Sequence, residues 1–410
     1  MLLTIREEKM AMLLSVKPSA ASASAWRMQL SGLCAILVGI GLSRFAYTPL
    51  LPELIAAHWF APSEAAYLGA ANLAGYLAGA LLEQRISQSR STAFVLRASM
   101  AAAAAAFVAS AFPLSFAWFF FWRFLSGFLG GILMVLVAPT VLPHITPAQR
   151  GLAAGVIFTG VGCGIVASGV LVPALLHYGL AGTWLGLGAL SLVLTAVAWS
   201  GWPSSGSLEA VDTAKPKKAA LPRSRPLTAL YVQYGLNAIG LVPHMIFLAD
   251  YVARGLGQGR AAGAEYWVLL GIGALAGPIL SGFASDRIGV RPALRAAFLL
   301  QTASVGVLAV TSAAWALAIS SLVVGAFIPG ISALTFSRVR ELAFGDAKHQ
   351  KAAWSFCTIV WAIGQAAGAY GFSYIFASTG GGYSLLFATG AAAIALAFAI
   401  EIAPSARLRK

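Results

Sequence analysis

Gly39-Ile40-Gly41-Leu42-Ser43-Arg44-Phe45-Ala46-Tyr47-Thr48-Pro49-Leu50-Leu51-Pro52-Glu53 places an arginine inside an apolar run long enough to cross a bilayer. A cation at membrane depth costs at least about 2.5 kcal/mol on insertion scales, so it normally faces a partner or a water-filled space. Arg44 lies eight residues before Pro52, roughly 12 Å at helical rise, which is a long way for the side chain to snorkel. The stretch therefore predicts a membrane helix with a functional face.

The rest of the chain agrees. Apolar residues make up 59% of the 410 and charged residues 10%, against about 25% charged in soluble domains. Mean hydropathy is +0.83. A net charge of +14 would suggest nucleic acid in a soluble protein; here it raises the question of which membrane face holds the charges. Cys34, Cys163 and Cys357 fall singly in apolar runs, without disulfide or metal spacing, and read as packing residues. No metal or cofactor motif is present, and no nucleic-acid partner is expected.

Working outward, twelve spans are expected, at about 29–52, 64–84, 92–112, 115–142, 150–176, 180–200, 227–252, 263–284, 293–312, 314–336, 350–377 and 382–402, each near the roughly 20 residues a crossing needs. Residues 1–28 read as an amino-terminal tail, 201–226 as a Ser-, Pro- and Lys-rich linker, and 403–410 as a carboxy-terminal tail. The fold class is an all-α membrane protein of twelve helices in two six-helix bundles, 29–200 and 227–402. With the amino terminus inside, all but four of the 27 Lys and Arg lie in inner segments. Such asymmetry is the positive-inside pattern, so both termini and the linker are expected to be cytoplasmic. An internal repeat supports the division: aligning Glu83 with Asp286, an offset of 203, also puts Gly79 on Gly282 and Gly127 on Gly330.

Gly282-Phe-Ala-Ser-Asp286-Arg287-Ile-Gly289-Val-Arg291 resembles the loop signature of the major facilitator superfamily. The first-half copy, from Gly79 to Arg90, keeps Glu83, Arg85 and Arg90 but has Gln84 in place of the paired arginine. Arg123-Phe-Leu-Ser-Gly127-Phe-Leu-Gly130-Gly131 is similar to the superfamily's fourth-helix motif. Helix 5 carries Gly151, Gly155, Gly160 and Gly164 without the proline of the antiporter signature. The first helix, and Gly325-Ala-Phe-Ile-Pro329-Gly330-Ile in the tenth, resemble the YbfB/YjiJ-type branch.

The resemblance implies a secondary transporter of the inner membrane that works by alternating access, expected as a monomer in the lipid bilayer. It also implies that helices 1, 4, 7 and 10 line a central space, with Glu83, Asp286 and Arg287 serving the gate. Arg44 and Arg123 then lie at one estimated depth, with His244 near it, and no acid stands near the middle of any span. Guanidinium groups without acids favour an anion, since they grip carboxylate or phosphate in a fork. The expected substrate is a small organic anion, met by Arg44, Tyr47, Asn72, Arg123, Gln233, Asn237, His244 and Gln365. A proton is the candidate co-transported ion, carried by His244, Asp250 or Glu53. Multidrug or metabolite efflux is the alternative, although cationic drugs call for a midplane acid, and a non-transporting sensor ranks below it. No enzymatic nucleophile or metal set is visible, since His144, His177 and His244 lack His-Glu-x-x-His spacing. Trp59, Trp118, Trp122, Trp267 and Trp315 lie near span ends and read as interfacial anchors.

Overall fold

The computed structural model describes residues 20–87, 90–146, 150–203, 224–343 and 347–402. The tails and the linker fall largely outside them. Among the described residues the structure is all-helical, and twelve helical segments follow in order. They are α1 (Ala20–Ile36, continued as Leu37–Leu42, Ser43–Phe45 and Tyr47–Ala56), α2 (Pro62–Ser87), α3 (Thr92–Ser110) and α4 (Phe116–Val141). Next come α5 (Arg150–Leu175), α6 (Gly179–Ala198) and α7 (Arg225–Val242, continued as Pro243–Phe247, Leu248–Asp250 and Tyr251–Gly255). The last are α8 (Gly259–Ile288), α9 (Val290–Val310), α10 (Ala314–Leu342), α11 (Ala347–Ser378) and α12 (Tyr383–Ile402).

Among the described residues eleven stretches are long and apolar enough to cross a membrane, and one of them, Gly155–Ala198, runs for 44 residues. Twice the length of a crossing demands a break. Gly179, at φ 77° and ψ 173°, supplies it after the short 3₁₀ turn Leu176–Tyr178, in a conformation that costs glycine little. Gly186 then packs back on Leu175, so α5 and α6 form a hairpin. Other turns are punctuated by serine caps: Ser91 accepts from Phe94 N–H, Ser115 from Trp118 N–H and Ser224 from Leu227 N–H.

The helices make two six-helix bundles, each tightened by a glycine-lined crossing. Cβ atoms added at Gly75, Gly79 and Gly127 would lie 1.9, 2.0 and 1.9 Å from the carbonyl oxygens of Phe124, Phe128 and Asn72, so α2 and α4 touch backbone to backbone. In the second bundle Gly273, Gly277 and Gly325 stand in the same way against Leu322, Ala326 and Leu270, where α8 meets α10. Every one of these pairs is related by a shift of 198 residues. The repeat is therefore present, but Gly127 corresponds to Gly325, not to Gly330. An alignment through the loop acids misses this because α8 is 30 residues long and α2 only 26: crossing and loop are set by separate constraints.

Two helices are central. Over the apolar 18-residue stretch of each span, 78% of residues are buried in α1 and 89% in α7, against 33–61% in the others. Both are also the irregular ones, with π-helical turns at Leu37–Leu42 in α1 and at Pro243–Phe247 and Tyr251–Gly255 in α7. Proline lacks the N–H that would continue the ladder, and π turns of this kind gather at functional positions. The first π turn holds Gly39 and Gly41, which pack on Leu133 and Gly130 of α4 and on Gly160 and Gly164 of α5.

Candidate functional site

The site begins where α1 is interrupted at Ala46, between its segments Ser43–Phe45 and Tyr47–Ala56. The carbonyl of Ser43 there accepts from Arg123 Nη1 at 2.8 Å and from Asn72 Nδ2 at 3.3 Å. Asn72 also donates to the Arg123 carbonyl at 3.3 Å and to Ser126 Oγ at 2.9 Å. The Arg123 guanidinium lies 4.3 Å from the centre of the Tyr47 ring, and the Tyr47 hydroxyl donates to Ala65 O of α2 at 2.6 Å. Arg123 is 3% exposed, with Nε buried and unpartnered. Three expected site residues, Asn72, Arg123 and Tyr47, thus form a brace that ties α1, α2 and α4 together at the break.

Arg44 takes the opposite course. It is partly exposed, and Nη2 crosses to the second bundle, donating to Gln365 Oε1 of α11 and reaching Met245 Sδ of α7 at 3.7 Å. Gln365 Nε2 in turn approaches the same sulfur at 3.3 Å. The guanidinium sits 5.3 Å from the Phe45 ring and 5.7 Å from the Tyr76 ring. No carboxylate meets it among the described residues. One turn along α11 from Gln365 stands Trp361, 8% exposed, its ring 4.5 Å from that of Tyr234. The Tyr234 hydroxyl is hydrogen-bonded to Ser332 Oγ of α10 at 2.7 Å.

The remaining expected residues of α7 point elsewhere. Gln233 donates to Glu401 of α12 at 3.0 Å, Asn237 to Gln301 of α9 at 2.7 Å, and His244 pairs with Ser320 of α10 at 2.7 Å. All three are at most 2% exposed and face the interior of the second bundle. Their spacings of four and seven residues put them on one helical stripe, whereas Tyr234 and Met245 occupy another that faces the first bundle. Ser320 donates its proton to Ser304 O at 2.5 Å, so it accepts from His244 Nε2–H, leaving Nδ1 buried without a partner.

Both candidate acids are engaged. Asp250 is fully buried, bonded to Arg254 and to the Tyr383 hydroxyl at 2.5 Å, within one bundle. Glu53, 4% exposed, pairs with Arg260 of α8 at 2.7 Å, across the bundles. Of the expected gate residues, Glu83 makes no ion pair with a described residue, and Arg287 is exposed and stacks on Phe283 of its own helix at 4.5 Å. The side chains of Asp286 and Gln84 lie outside the described residues.

One end of the interface between bundles is shut. Where both partners are described, every hydrogen bond and ion pair between bundles lies at the level of Arg44 or beyond it, toward the face away from the chain ends. Thr48 donates to Met245 O at 2.5 Å, Trp267 to Ser168 at 2.9 Å, and Arg260 to Glu53. Tyr67 stacks on Tyr370 with centroids 6.2 Å apart. Toward the chain ends, Gly155 on α5 and Gly282 on α8 would each meet no atom of a described residue within 4 Å if given a Cβ. Trp267 is no interfacial anchor: it is fully buried between the bundles, 6.0 Å from Phe45. Tyr76, Tyr234, Trp361 and Met245 were not among the expected site residues, because an aromatic or a methionine at an apolar position reads as core.

Twelve apolar helices in two repeated bundles, with a polar centre where the bundles meet, define a polytopic membrane transporter. A family model described as "Uncharacterised MFS-type transporter YbfB" matches residues 36–402, and the chain belongs to that family of major facilitator transporters. No curated protein matches it.

Proposed function

We propose that the protein is a secondary active transporter of a small organic anion and that Arg44 is its anion-binding group. The observation that carries this is the Arg44 guanidinium itself, partly exposed between the bundles, bonded to a neutral amide and, among the described residues, facing no carboxylate. A desolvated cation of this kind is costly unless something negative joins it. Because Arg44 belongs to the first bundle and Gln365 to the second, an anion held by both would couple ligand binding to their relative position. The division into bundles 29–200 and 227–402 joined by the 201–226 linker is part of this proposal.

The charge bias supports a cytoplasmic location for both termini in a bacterial inner membrane. On that orientation the shut end is external and Arg44 is reached from the cytoplasm. Cysteine labelling tests this: in a background without Cys34, Cys163 and Cys357, Ser205→Cys is expected to react with a thiol reagent only from inside. Among His244, Asp250 and Glu53, proton coupling is assigned to Glu53, since protonating it would release an inter-bundle contact while the others bond within one bundle. Efflux of cationic drugs is disfavoured: the buried acids Glu53, Asp250 and Glu401 are each paired with arginine. The anion reading is tested by thermal stability of purified protein against a panel of organic acids, since a ligand of the folded state raises apparent stability. At least one acid is expected to stabilise the parent and to leave Arg44→Gln unmoved. If no acid does so, Arg44 is not an anion site.

A further inference from the structure

We propose that the anion taken at Arg44 is a monocarboxylate with a flat, aromatic body and without an ammonium group. This rests on the anion reading above and narrows it by counting charges and surfaces. Three described arginines reach the interface, and two are spent: Arg260 pairs with Glu53 at the shut end, while Arg123 Nη1 is bonded to the Ser43 carbonyl and its guanidinium is covered by Tyr47; Arg44 is left. His244 faces the interior of its own bundle. One fork therefore meets one carboxylate. A second carboxylate on the ligand would be desolvated against Tyr76, Met245 and Trp361 with no described cation to receive it, an arrangement that weighs against binding. A phosphate dianion meets the same shortage.

The absence of an acid works in the other direction. Glu53, Asp250 and Glu401 stand near helix ends and are paired, so no described carboxylate can receive an ammonium beside Arg44. An amino acid would bury its cation unpaired. The uncharged part of the ligand meets rings: Phe45 and Tyr76 flank the guanidinium, and Trp361 lies one turn along α11 against Tyr234 of α7. Ring contacts add affinity beyond the area they bury. Gln365 completes the grip. Its amide N–H now points at a thioether, a weak acceptor, at 3.3 Å, and a carboxylate oxygen would be a better one.

The test uses full-length purified protein with benzoate, phenylacetate, succinate, phenylalanine and inorganic phosphate at equal concentration and ionic strength, read by thermal stability and tryptophan fluorescence. Benzoate or phenylacetate is expected to bind saturably, with affinity falling roughly 30-fold or more in Arg44→Gln and about tenfold in Trp361→Leu. Arg44→Gln should keep the parent's unliganded stability within a few degrees, whereas Trp361→Leu, which truncates a buried ring, should unfold earlier, so affinities are compared at equal folded protein. If succinate, phenylalanine or phosphate binds as well as the aromatic acids, and through Arg44, the class is overturned while the anion reading stands. Aromatic binding that Trp361→Leu leaves untouched also overturns it. If no probe shows a response that Arg44→Gln abolishes, both fall together.

Discussion

Arg44 and Arg123 are two guanidinium groups of the same bundle, both within membrane spans and both without a carboxylate, yet the structure uses them in opposite ways. Arg123 turns inward to the interruption in α1, where the Ser43 carbonyl, the Tyr47 ring and the Asn72 framework absorb it. Arg44 turns outward to the other bundle and stops at Gln365 and Met245. Depth does not separate them. What separates them is whether the protein itself satisfies the charge. On the proposed function, a charge neutralised by fixed carbonyl and ring dipoles is architecture, while one left facing an amide between the bundles is available to a ligand.

The largest expected effect tests the frame that holds the brace. Gly127→Leu would drive a side chain into the Asn72 carbonyl, 1.9 Å from the Cβ position, and should abolish recovery of folded, monodisperse protein; normal recovery would mean that α2 and α4 are not held so closely. Next, Arg123→Ala should lower stability by about 2–4 kcal/mol, combining a lost charge-assisted hydrogen bond with a lost cation–π contact. Thermal unfolding reads this directly, and a stable variant would remove the distinction between the two arginines.

Arg44→Lys should fold as the parent does but bind benzoate about tenfold more weakly, because the point charge lacks the planar fork. Equal affinity in a titration would leave only charge, and not geometry, at the site. The smallest effect is expected from Glu53→Gln. Arg260 is 69% exposed, so the lost pair is worth only about 0.2–1 kcal/mol, enough to raise opening a few-fold. Ala249→Cys, on the part of α7 that packs against α1, should then react faster with an impermeant thiol reagent added outside. No acceleration would show that this pair does not hold the outer end shut.

Much of this was legible in the chain. Spans, bundles and Arg44 followed from hydropathy and from the cost of a buried charge, and the glycines announced close crossings. Other features could not be read because different roles share one signal. Trp267 looks like an anchor by position, since only packing shows that it faces Phe45 and not lipid. The stripe Gln233, Asn237 and His244 was readable as one face of α7, but nothing in the spacing says which face meets the other bundle. The partnership of Arg44 with Gln365 joins residues 321 positions apart, beyond any local pattern. The repeat was visible, but its register became visible only from the contacts.

The most direct measurement is thermal unfolding of the parent, Arg44→Gln and Arg123→Gln, each with and without benzoate. Arg123→Gln should lower the unliganded transition and still respond to benzoate. Arg44→Gln should keep the unliganded transition and lose the response. The reverse pattern, with Arg44→Gln unstable and Arg123→Gln blind to the ligand, would contradict the assignment of brace and site.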